Sequence, residues 1–303
     1  MKVKILDMGG KESKEIELPT QFKEEVHPNL IKRAVLSVEN KERQRYGAMP
    51  NAGQRSSAKL SKRRRKYRGS YGHGISRVPR KIMWRRGTQF GWEAAFAPGT
   101  TGGRRAHPPK ASKIFDEKIN KKERRKAIRS ALSASILKKY VEKRHKTSEV
   151  IPLILESKFE DLDKTKNVKD TLVKIGLENE LARISVKKVR AGKGKNRGRR
   201  YKIKSGPLLV VSKECPLEKS GKNLQGIEIS KVTSLNAKKL APGCVPGRLI
   251  VWTEDAIERL RSEKLYTNAP VVEKKEKKVK EVKKKVVKKV EAPKKEVKEG
   301  EKK

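Results

Sequence analysis

The sequence predicts an α/β domain in which a mostly parallel sheet carries helices on both faces. Short, continuous apolar runs such as 208–211 alternate with helix-like segments, which is typical of parallel strands buried on both sides. A long basic stretch without an apolar period interrupts that alternation and predicts a loop insertion. From Val271 the composition narrows to Lys, Glu and Val, which predicts a disordered Lys-rich C-terminal tail, although valines at near-heptad spacing leave a partner-induced helix open.

The first elements are two short strands and one helix. Residues 3–5 and 16–18 alternate in polarity on either side of the Gly9-Gly10 turn, as paired strands do. A helix is predicted from Pro28, with Gly47 as its stop signal. Its apolar positions at helical spacing are Ile31, Ala34, Val35 and Val38.

Order resumes after the basic stretch with a second helix. Asn120 and Glu123 have the spacing of a capping box, in which each side chain satisfies a backbone N–H of the first turn. One face of this helix is predicted to consist of Ile128, Ala131, Leu132, Ser135, Ile136 and Tyr140.

The remaining chain alternates strands and helices. A helical face over 168–175 is followed by the stop signal Gly176. Residues 177–189 form a helix, or a strand over 184–189, and Thr253 caps a closing helix. The predicted strands are 151–155, 208–211, 227–232 and 249–252. We therefore expect one globular domain over 1–269, interrupted by the extended basic loop at about 46–113 and followed by the tail over 270–303.

The basic stretch carries the strongest functional signal. From Arg43 to Trp92 there are fifteen Lys and Arg residues and no Asp or Glu, and the whole chain has a formal net charge of +45. Unopposed like charges repel within a Debye length of about 8 Å, so this stretch predicts an external polyanion. No apolar run of membrane-spanning length exists, and the N-terminus lacks the apolar segment of a signal peptide, so we expect a soluble intracellular protein that binds nucleic acid.

Two kinds of side chain in this stretch favour RNA. Arginine pairs with phosphate in a bidentate fork, and Tyr71 and Trp84 favour stacking on unpaired bases. Phe90, Trp92 and Phe96 either stack in the same way or pack back onto the globular domain. The predicted RNA-binding residues of the stretch are Arg43, Arg45, Arg55, Lys62, Arg63, Arg64, Arg65, Lys66, Arg68, Tyr71, His73, Arg77, Arg80, Trp84, Arg85, Arg86, Arg104, Arg105, His107 and Lys110.

A second basic cluster precedes the strand at 208–211. Its glycines let backbone amides approach an anion, although neither the P-loop nor the dinucleotide-binding glycine pattern is present. RNA phosphate is the expected ligand, and a merely solvated charge run is the alternative. The predicted phosphate contacts are Arg190, Lys193, Lys195, Arg197, Arg199, Arg200 and Lys202.

No catalytic, metal or cofactor site is predicted. The four histidines are dispersed, and the acidic group Glu160, Asp161 and Asp163 is better explained by complementing a helix dipole than by a metal. Cys215 and Cys244 lack zinc spacing and are expected to be partly buried thiols rather than a disulfide.

Several long motifs, in order, resemble the large-subunit ribosomal protein four family of archaeal and eukaryotic type. They are the helix ending in RQRYG, YGHGISRVPR, GGRRAHPPK, KKERRKAIRSALSAS, RAGKGKNRGRRYK and LAPGCVPGRLIVWTEDAIERL. The resemblance spans about residues 1–266. The run 59–68 is more basic than the family pattern, and the tail has no counterpart.

The resemblance implies a structural, cytoplasmic protein of the ribosome. Its partners would be large-subunit ribosomal RNA, neighbouring large-subunit ribosomal proteins and the nascent peptide, because the loop tip of that family helps to line the peptide exit tunnel. By position, the tip residues would be Tyr71, Gly72, His73, Gly74, Arg77, Arg80, Lys81, Arg85 and Arg86.

Two other functions stay open at this point. An α/β RNA-modifying enzyme such as a methyltransferase would need a glycine-rich cofactor turn that leads from the first strand into a helix, whereas the Gly9-Gly10 turn leads towards a second strand. A DNA-compacting basic protein would bind duplex DNA as tightly as structured RNA.

Overall fold

The computed structural model describes residues 1–58, 63–65, 70–74, 76–147 and 150–268. The chain divides into two compact units: the first holds Met1–Leu36 and the chain from Ile119 onward, and the second is Ser37–Lys118. The predicted tail over 270–303 lies outside the described residues, as do three predicted RNA contacts, Lys62, Lys66 and Arg68.

The elements follow the predicted alternation, with several additions: a hairpin in the basic stretch, a short strand at 201–202 and short helices at 217–222 and 237–240. In chain order they are β1 (Lys2–Leu6), β2 (Glu12–Glu17), α1 (Pro28–Glu42), β3 (Arg80–Arg86), β4 (Gln89–Ala94), α2 (Lys121–Ile136), α3 (Lys138–Val141), β5 (Leu153–Leu155), α4 (Thr165–Leu172), α5 (Glu178–Ser185), β6 (Lys188–Val189), β7 (Tyr201–Lys202), β8 (Leu208–Val211), α6 (Leu217–Lys222), β9 (Glu228–Lys231), α7 (Ala237–Leu240), β10 (Ile250–Thr253) and α8 (Glu254–Ser262). In the described part of the chain, no helix combines the length and apolarity that crossing a bilayer demands.

A six-stranded sheet organises the first unit. Its strand order is β2-β1-β5-β10-β8-β9, and β1 and β2 are its antiparallel pair. The other neighbours run parallel, with Val251 beside both Leu153 and Leu209 at the centre. This confirms the predicted mostly parallel sheet.

Helices cover both faces of this sheet. Along β8, Leu208 and Val210 join a core with α1, α2, α7 and α8, whereas Leu209 and Val211 join a second core with α4, α5 and α6. Successive side chains of a strand point to opposite faces, so a strand with a core on each side must be apolar at every position. The continuous apolar runs in the sequence have this cause.

Two predicted helix caps are wrong, because neither side chain makes a capping hydrogen bond. Asn120 stands at the N-cap of α2, but its side chain makes no capping hydrogen bond. Thr253 stands at the N-cap of α8, yet its buried hydroxyl donates to Glu160 Oε1 at 2.5 Å instead of capping the helix. The carboxylate of Glu160 is buried, where every missing donor costs free energy, so the hydroxyl serves Glu160 together with the two donors of Ser212.

Two other expectations need correction at element ends. The helix α2 ends at Ile136 because Leu137 is extended (φ −80°, ψ 110°), so Tyr140 belongs to α3 and not to the predicted face. The ambiguous segment 177–189 is mainly the helix α5, and only the last two residues of the alternative strand over 184–189 are extended as β6.

A buried polar network ties α5 to the chain after α3. His145 Nδ1 lies 2.6 Å from Glu180 Oε1, and the backbone N–H of Lys146 donates to Glu180 Oε2 at 3.0 Å. Arg183 donates to both carboxylate oxygens and to the carbonyl of Ser205. The network positions the chain that leads into and out of the strands β6 and β7.

Candidate nucleic-acid interface

Two segments of the second unit, residues 43–55 and 103–118, lie side by side. We call them the outgoing and the returning leg. The backbone N–H of Ala48 donates to the carbonyl of Pro109 at 2.9 Å. Gly47 lies directly against the other leg, because a Cβ at this position would stand 2.4 Å from the backbone nitrogen of Ala111. Ser37 precedes residues 43–55 in the chain, and its hydroxyl donates to the carbonyl of Glu117 at 2.6 Å. Backbone contacts and a few side-chain contacts, and not a buried core, hold the legs together.

The predicted absence of a core in the basic stretch is confirmed for its described residues. Of these, only Ser37, Ser70 and Ala95 are buried in the second unit. The predicted cations with exposed side chains are Arg43, Arg45, Arg55, Arg63, Arg64, Arg65, Arg77, Arg85, Arg86, Arg105 and Lys110, together with the imidazoles of His73 and His107, while Arg80, Lys81 and Arg104 are half-buried.

The strands β3 and β4 form a hairpin that the sequence reading missed. They pair from Arg80 opposite Ala94 to Arg86 opposite Gln89, and Gly87 turns the chain with a φ of +56°. The signal was present, because β-prone Ile, Trp and Phe residues flank the two-residue Gly87-Thr88 turn. The dense unopposed charge of the stretch favoured the prediction of an irregular loop over that of a hairpin.

A β-bulge in β3 gives both faces of this hairpin an exposed indole. The register shifts between Ile82, which lies opposite Trp92, and Trp84, which lies opposite Gly91. Residues 91 and 92 point to opposite faces, so the two tryptophans do as well. Trp84 covers the Cα of Gly91, where a Cβ would meet its indole at 2.1 Å, and the indoles are 57% and 56% exposed. Phe90 is also exposed, and Phe96 is half-buried.

The predicted tunnel-tip residues divide between two local structures. The first is a turn at Tyr71–Gly74, in which Gly72 and Gly74 adopt positive φ and the guanidinium of Arg77 lies 5.3 Å from the Tyr71 ring centre. The second is the strand β3, which holds Arg80, Lys81, Arg85 and Arg86. Arg85 lies 5.2 Å from the ring centre of Phe90 across the hairpin.

The second basic cluster is a short hairpin, residues 188–202, in the first unit. β6 and β7 pair Val189 with Tyr201, and Arg190 donates from its backbone to the carbonyl of Arg200 at 2.7 Å. Gly192 and Gly198 turn the loop between them with positive φ. The exposed predicted cations of this loop are Lys193, Lys195, Arg197, Arg199, Arg200 and Lys202, and Arg190 is half-buried. Tyr201, which the prediction omitted, is also exposed beside Arg200.

The titratable groups with catalytic potential are engaged in structure instead. Glu160 accepts hydrogen bonds from the backbone and hydroxyl of Ser212, both at 2.8 Å. Burial raises the pKa of the Cys215 thiol, which keeps it a thiol and not a nucleophilic thiolate. Among the described residues, no three His, Cys, Asp or Glu side chains lie together as a metal site.

Comparison with known proteins shows the family of this chain. The model of the ribosomal protein L4/L1 family matches residues 16–263. The large ribosomal subunit protein uL4 of Nanoarchaeum equitans is 47% identical over 268 residues, which cover 88% of this chain and all of the relative. The proteins of the same name from Archaeoglobus fulgidus and Methanocaldococcus jannaschii are 42% and 43% identical over 86% of this chain and 98% of each relative.

Proposed function

The chain belongs to the ribosomal protein L4/L1 family, and we propose that it is a structural protein of the large ribosomal subunit that binds and organises ribosomal RNA in the cytoplasm. One observation carries the proposal for RNA. The second unit combines many exposed cations with almost no buried residues, so a polyanion must supply the contacts that a core would otherwise provide.

The proposed mechanism is architectural. Phosphate neutralisation by the second unit and by the 188–202 hairpin lets RNA segments approach each other closely. Each neutralised phosphate releases counterions, so affinity falls steeply as salt rises. We propose phosphate neutralisation for all of the predicted cationic RNA contacts, including those of the run 59–68.

Base stacking is proposed for the exposed aromatic side chains of the second unit. The indoles of Trp84 and Trp92 lie on opposite faces of one hairpin, and Arg85 follows Trp84 in the sequence. A two-faced aromatic element can stack unpaired bases on both sides, and each stacked base contributes roughly 1–3 kcal/mol.

RNA selectivity tests the proposal against its rivals. We expect the full chain to bind a transcript of large-subunit ribosomal RNA at least tenfold more tightly than duplex DNA of equal length at 150 mM salt. Equal affinity for duplex DNA would support a DNA-compacting protein. A methyltransferase is disfavoured by the turn at Gly9-Gly10, which leads from β1 into the antiparallel strand β2 and not into a helix.

The finer proposal concerns the peptide exit tunnel. We infer that the Tyr71–Gly74 turn, together with Arg77 and the cations of β3, approaches the nascent peptide, as the family resemblance implies. A deletion from Gly72 to Arg85 would leave β4 without its partner strand, so substitution is the cleaner change. Ribosomes that carry Tyr71→Ala, His73→Ala and Arg77→Ala should assemble normally but respond differently to stalling peptides and tunnel-binding drugs. Normal assembly with unchanged stalling would refute the tunnel assignment.

A further inference from the structure

A cavity of about 470 Å³ lies between the two legs of the second unit. One lining residue, Tyr46, comes from the outgoing leg, and the others come from the returning leg. Six of the nine lining residues were not among the predicted RNA contacts, and Tyr46, Lys113 and Phe115 are three of these six. The lining residues that bear on a ligand are Tyr46, Arg105, Lys110, Lys113 and Phe115.

Two aromatic rings form one wall of this cavity. Tyr46 and Phe115 stack nearly parallel, with ring centres 5.9 Å apart and an angle of 12° between their planes. The guanidinium of Arg43 covers Phe115 at 4.2 Å from its ring centre. Tyr46 nevertheless remains 55% exposed, so this planar wall still offers surface to another planar group.

The wall is held in place before any ligand arrives. The residues that follow Tyr46 are clamped to the returning leg, through the hydrogen bond from Ala48 to Pro109 and the close contact of Gly47 with Ala111. Pro108 and Pro109 further restrict the backbone of the returning leg, since the proline ring fixes φ. A preformed site reduces the entropy lost on binding.

The charges of the cavity favour an anion beside the planar group. Arg105, Lys110 and Lys113 line it, and none of its lining residues is an Asp or Glu. The ammonium of Lys113 lies over the ring of Phe115, 5.6 Å from its centre, which places a cation beside the aromatic wall. A planar ring next to a phosphate is the composition of a nucleotide.

We propose that this cavity captures one unpaired nucleotide of the bound RNA. The base stacks on the Tyr46–Phe115 wall, and Lys110, Lys113 and Arg105 hold its phosphate. This inference rests on the proposed RNA binding and adds a defined site to it. An RNA strand is favoured over a free nucleotide, because exposed cations outside the cavity, Arg43 and Arg45, can hold the neighbouring phosphates.

Two matched RNA hairpins test the site. One contains a single bulged 2-aminopurine, and the other is fully paired with the same fluorophore in its stem. The full chain should bind the bulged hairpin about tenfold more tightly and quench its fluorescence by stacking. Tyr46→Leu and Phe115→Leu should each reduce this preference to about twofold or less, while the salt dependence for the paired hairpin stays unchanged.

The matched control is Ile114→Ala. Ile114 adjoins Phe115 in the sequence, is 65% exposed and does not line the cavity, so this variant should keep the preference. Equal binding of the two hairpins by the parent chain, with normal salt dependence, would overturn the site and leave RNA binding intact. Displacement of the bulged hairpin by an equal concentration of adenosine monophosphate would also overturn it, in favour of a free nucleotide. Failure to bind either hairpin would instead count against the proposed function.

Discussion

At the scale of single residues, two adjacent glycines have different roles. Gly10 has a φ of +82°, and a Cβ there would stand 2.7 Å from the carbonyl oxygen of Lys174. At Gly9, a Cβ would meet only Asp7 Oδ2, at 3.8 Å. The turn between β1 and β2 therefore requires glycine at position 10 alone.

The change Gly10→Ala should destabilise the chain by about 2 kcal/mol or more, because the left-handed backbone costs about 1–2 kcal/mol and the backbone clash adds to it. Gly9→Ala is the matched control and should change the stability by less than about 0.5 kcal/mol. Urea unfolding followed by tryptophan fluorescence measures both. Equal midpoints for the two variants would contradict the assigned role of the turn.

His145 and Glu180 form a buried pair whose charges follow from their surroundings. Burial lowers the pKa of His145, although its contact with Glu180 opposes this effect. Burial opposes the charge of Glu180 as well, but hydrogen bonds from Arg183, His145 and the backbone of Lys146 outweigh burial and lower its pKa to about 2. The Nε2 atom of His145 is buried without a partner among the described residues, which agrees with a neutral imidazole that donates from Nδ1.

This arrangement predicts a loss of stability in mild acid. Below pH 6.5 the unfolded chain protonates residue 145, whereas the folded chain resists protonation, so the melting temperature should fall from pH 7.5 to pH 5.5. Glu180 adds stability that persists above its ordinary pKa of 4.5 and is lost only as the pH falls towards 2. His145→Asn keeps a donor for Glu180 but cannot titrate, so its melting temperature should change less over the same range.

The exposed His107 supplies the control for that experiment. His107→Asn makes the same substitution at an exposed position and should leave the melting temperature at pH 7.5 unchanged, because no buried contact is lost there. An identical pH dependence in the parent and in His145→Asn would contradict the lowered pKa, because it would show that the pKa of His145 is the same in the folded and unfolded chain.

At the scale of elements, the 188–202 hairpin presents cations that its own fold does not need. The backbone of Arg199 accepts from the side chain of Arg190, but the side chains of Arg197, Arg199 and Arg200 are exposed. Replacing these three with Ala should flatten the slope of log affinity against log salt by about two to three, at about 0.7–0.9 per lost phosphate contact. The melting temperature should stay unchanged.

A charge-matched variant separates contact from net charge in that measurement. Lys166, Lys169 and Lys174 are exposed on or just after α4, and replacing them with Ala removes the same charge from another surface. The control should keep the parent slope to within about one. If both triple variants flatten the slope equally, the hairpin is only a solvated charge run.

At the scale of the whole molecule, the two units differ in what holds them together. The first has a core on each side of its sheet, whereas the second is joined mainly by backbone contacts between its legs. Limited trypsin digestion without RNA should therefore cut first between Arg43 and Lys113. Fragments from both sides of the cut should remain associated through the sheet, and ribosomal RNA should protect the cleaved region.

Mass spectrometry of the first fragments measures this outcome, and it also tests the predicted boundaries of the loop at about 46–113. First cuts in the exposed cationic start of α2, near Lys121, would contradict the expectation. Equal cleavage with and without RNA would mean that RNA does not order the second unit.

The sequence by itself determined the features that depend on local pattern and on charge. Continuous apolar runs are required wherever a strand is buried on both faces, so the strands of the parallel sheet were predictable, and 208–211 is the strand β8 in the structure. Clusters of unopposed charge can be read from the sequence alone, so the two basic surfaces were also predictable, and their binding to RNA stays a prediction.

Only the tertiary structure decided the features that depend on partners distant in sequence. Thr253 stands where a cap belongs, but Glu160, which lies 93 positions earlier, takes its hydroxyl. The bulge that separates Trp84 from Trp92 depends on strand register, and the cavity at Tyr46 exists because Gly47 meets Ala111 across the legs. Contacts between residues that are distant in sequence produce no periodic pattern. The free energy of a buried or tightly packed group depends on its neighbours in the folded chain, and these are known only from the tertiary structure.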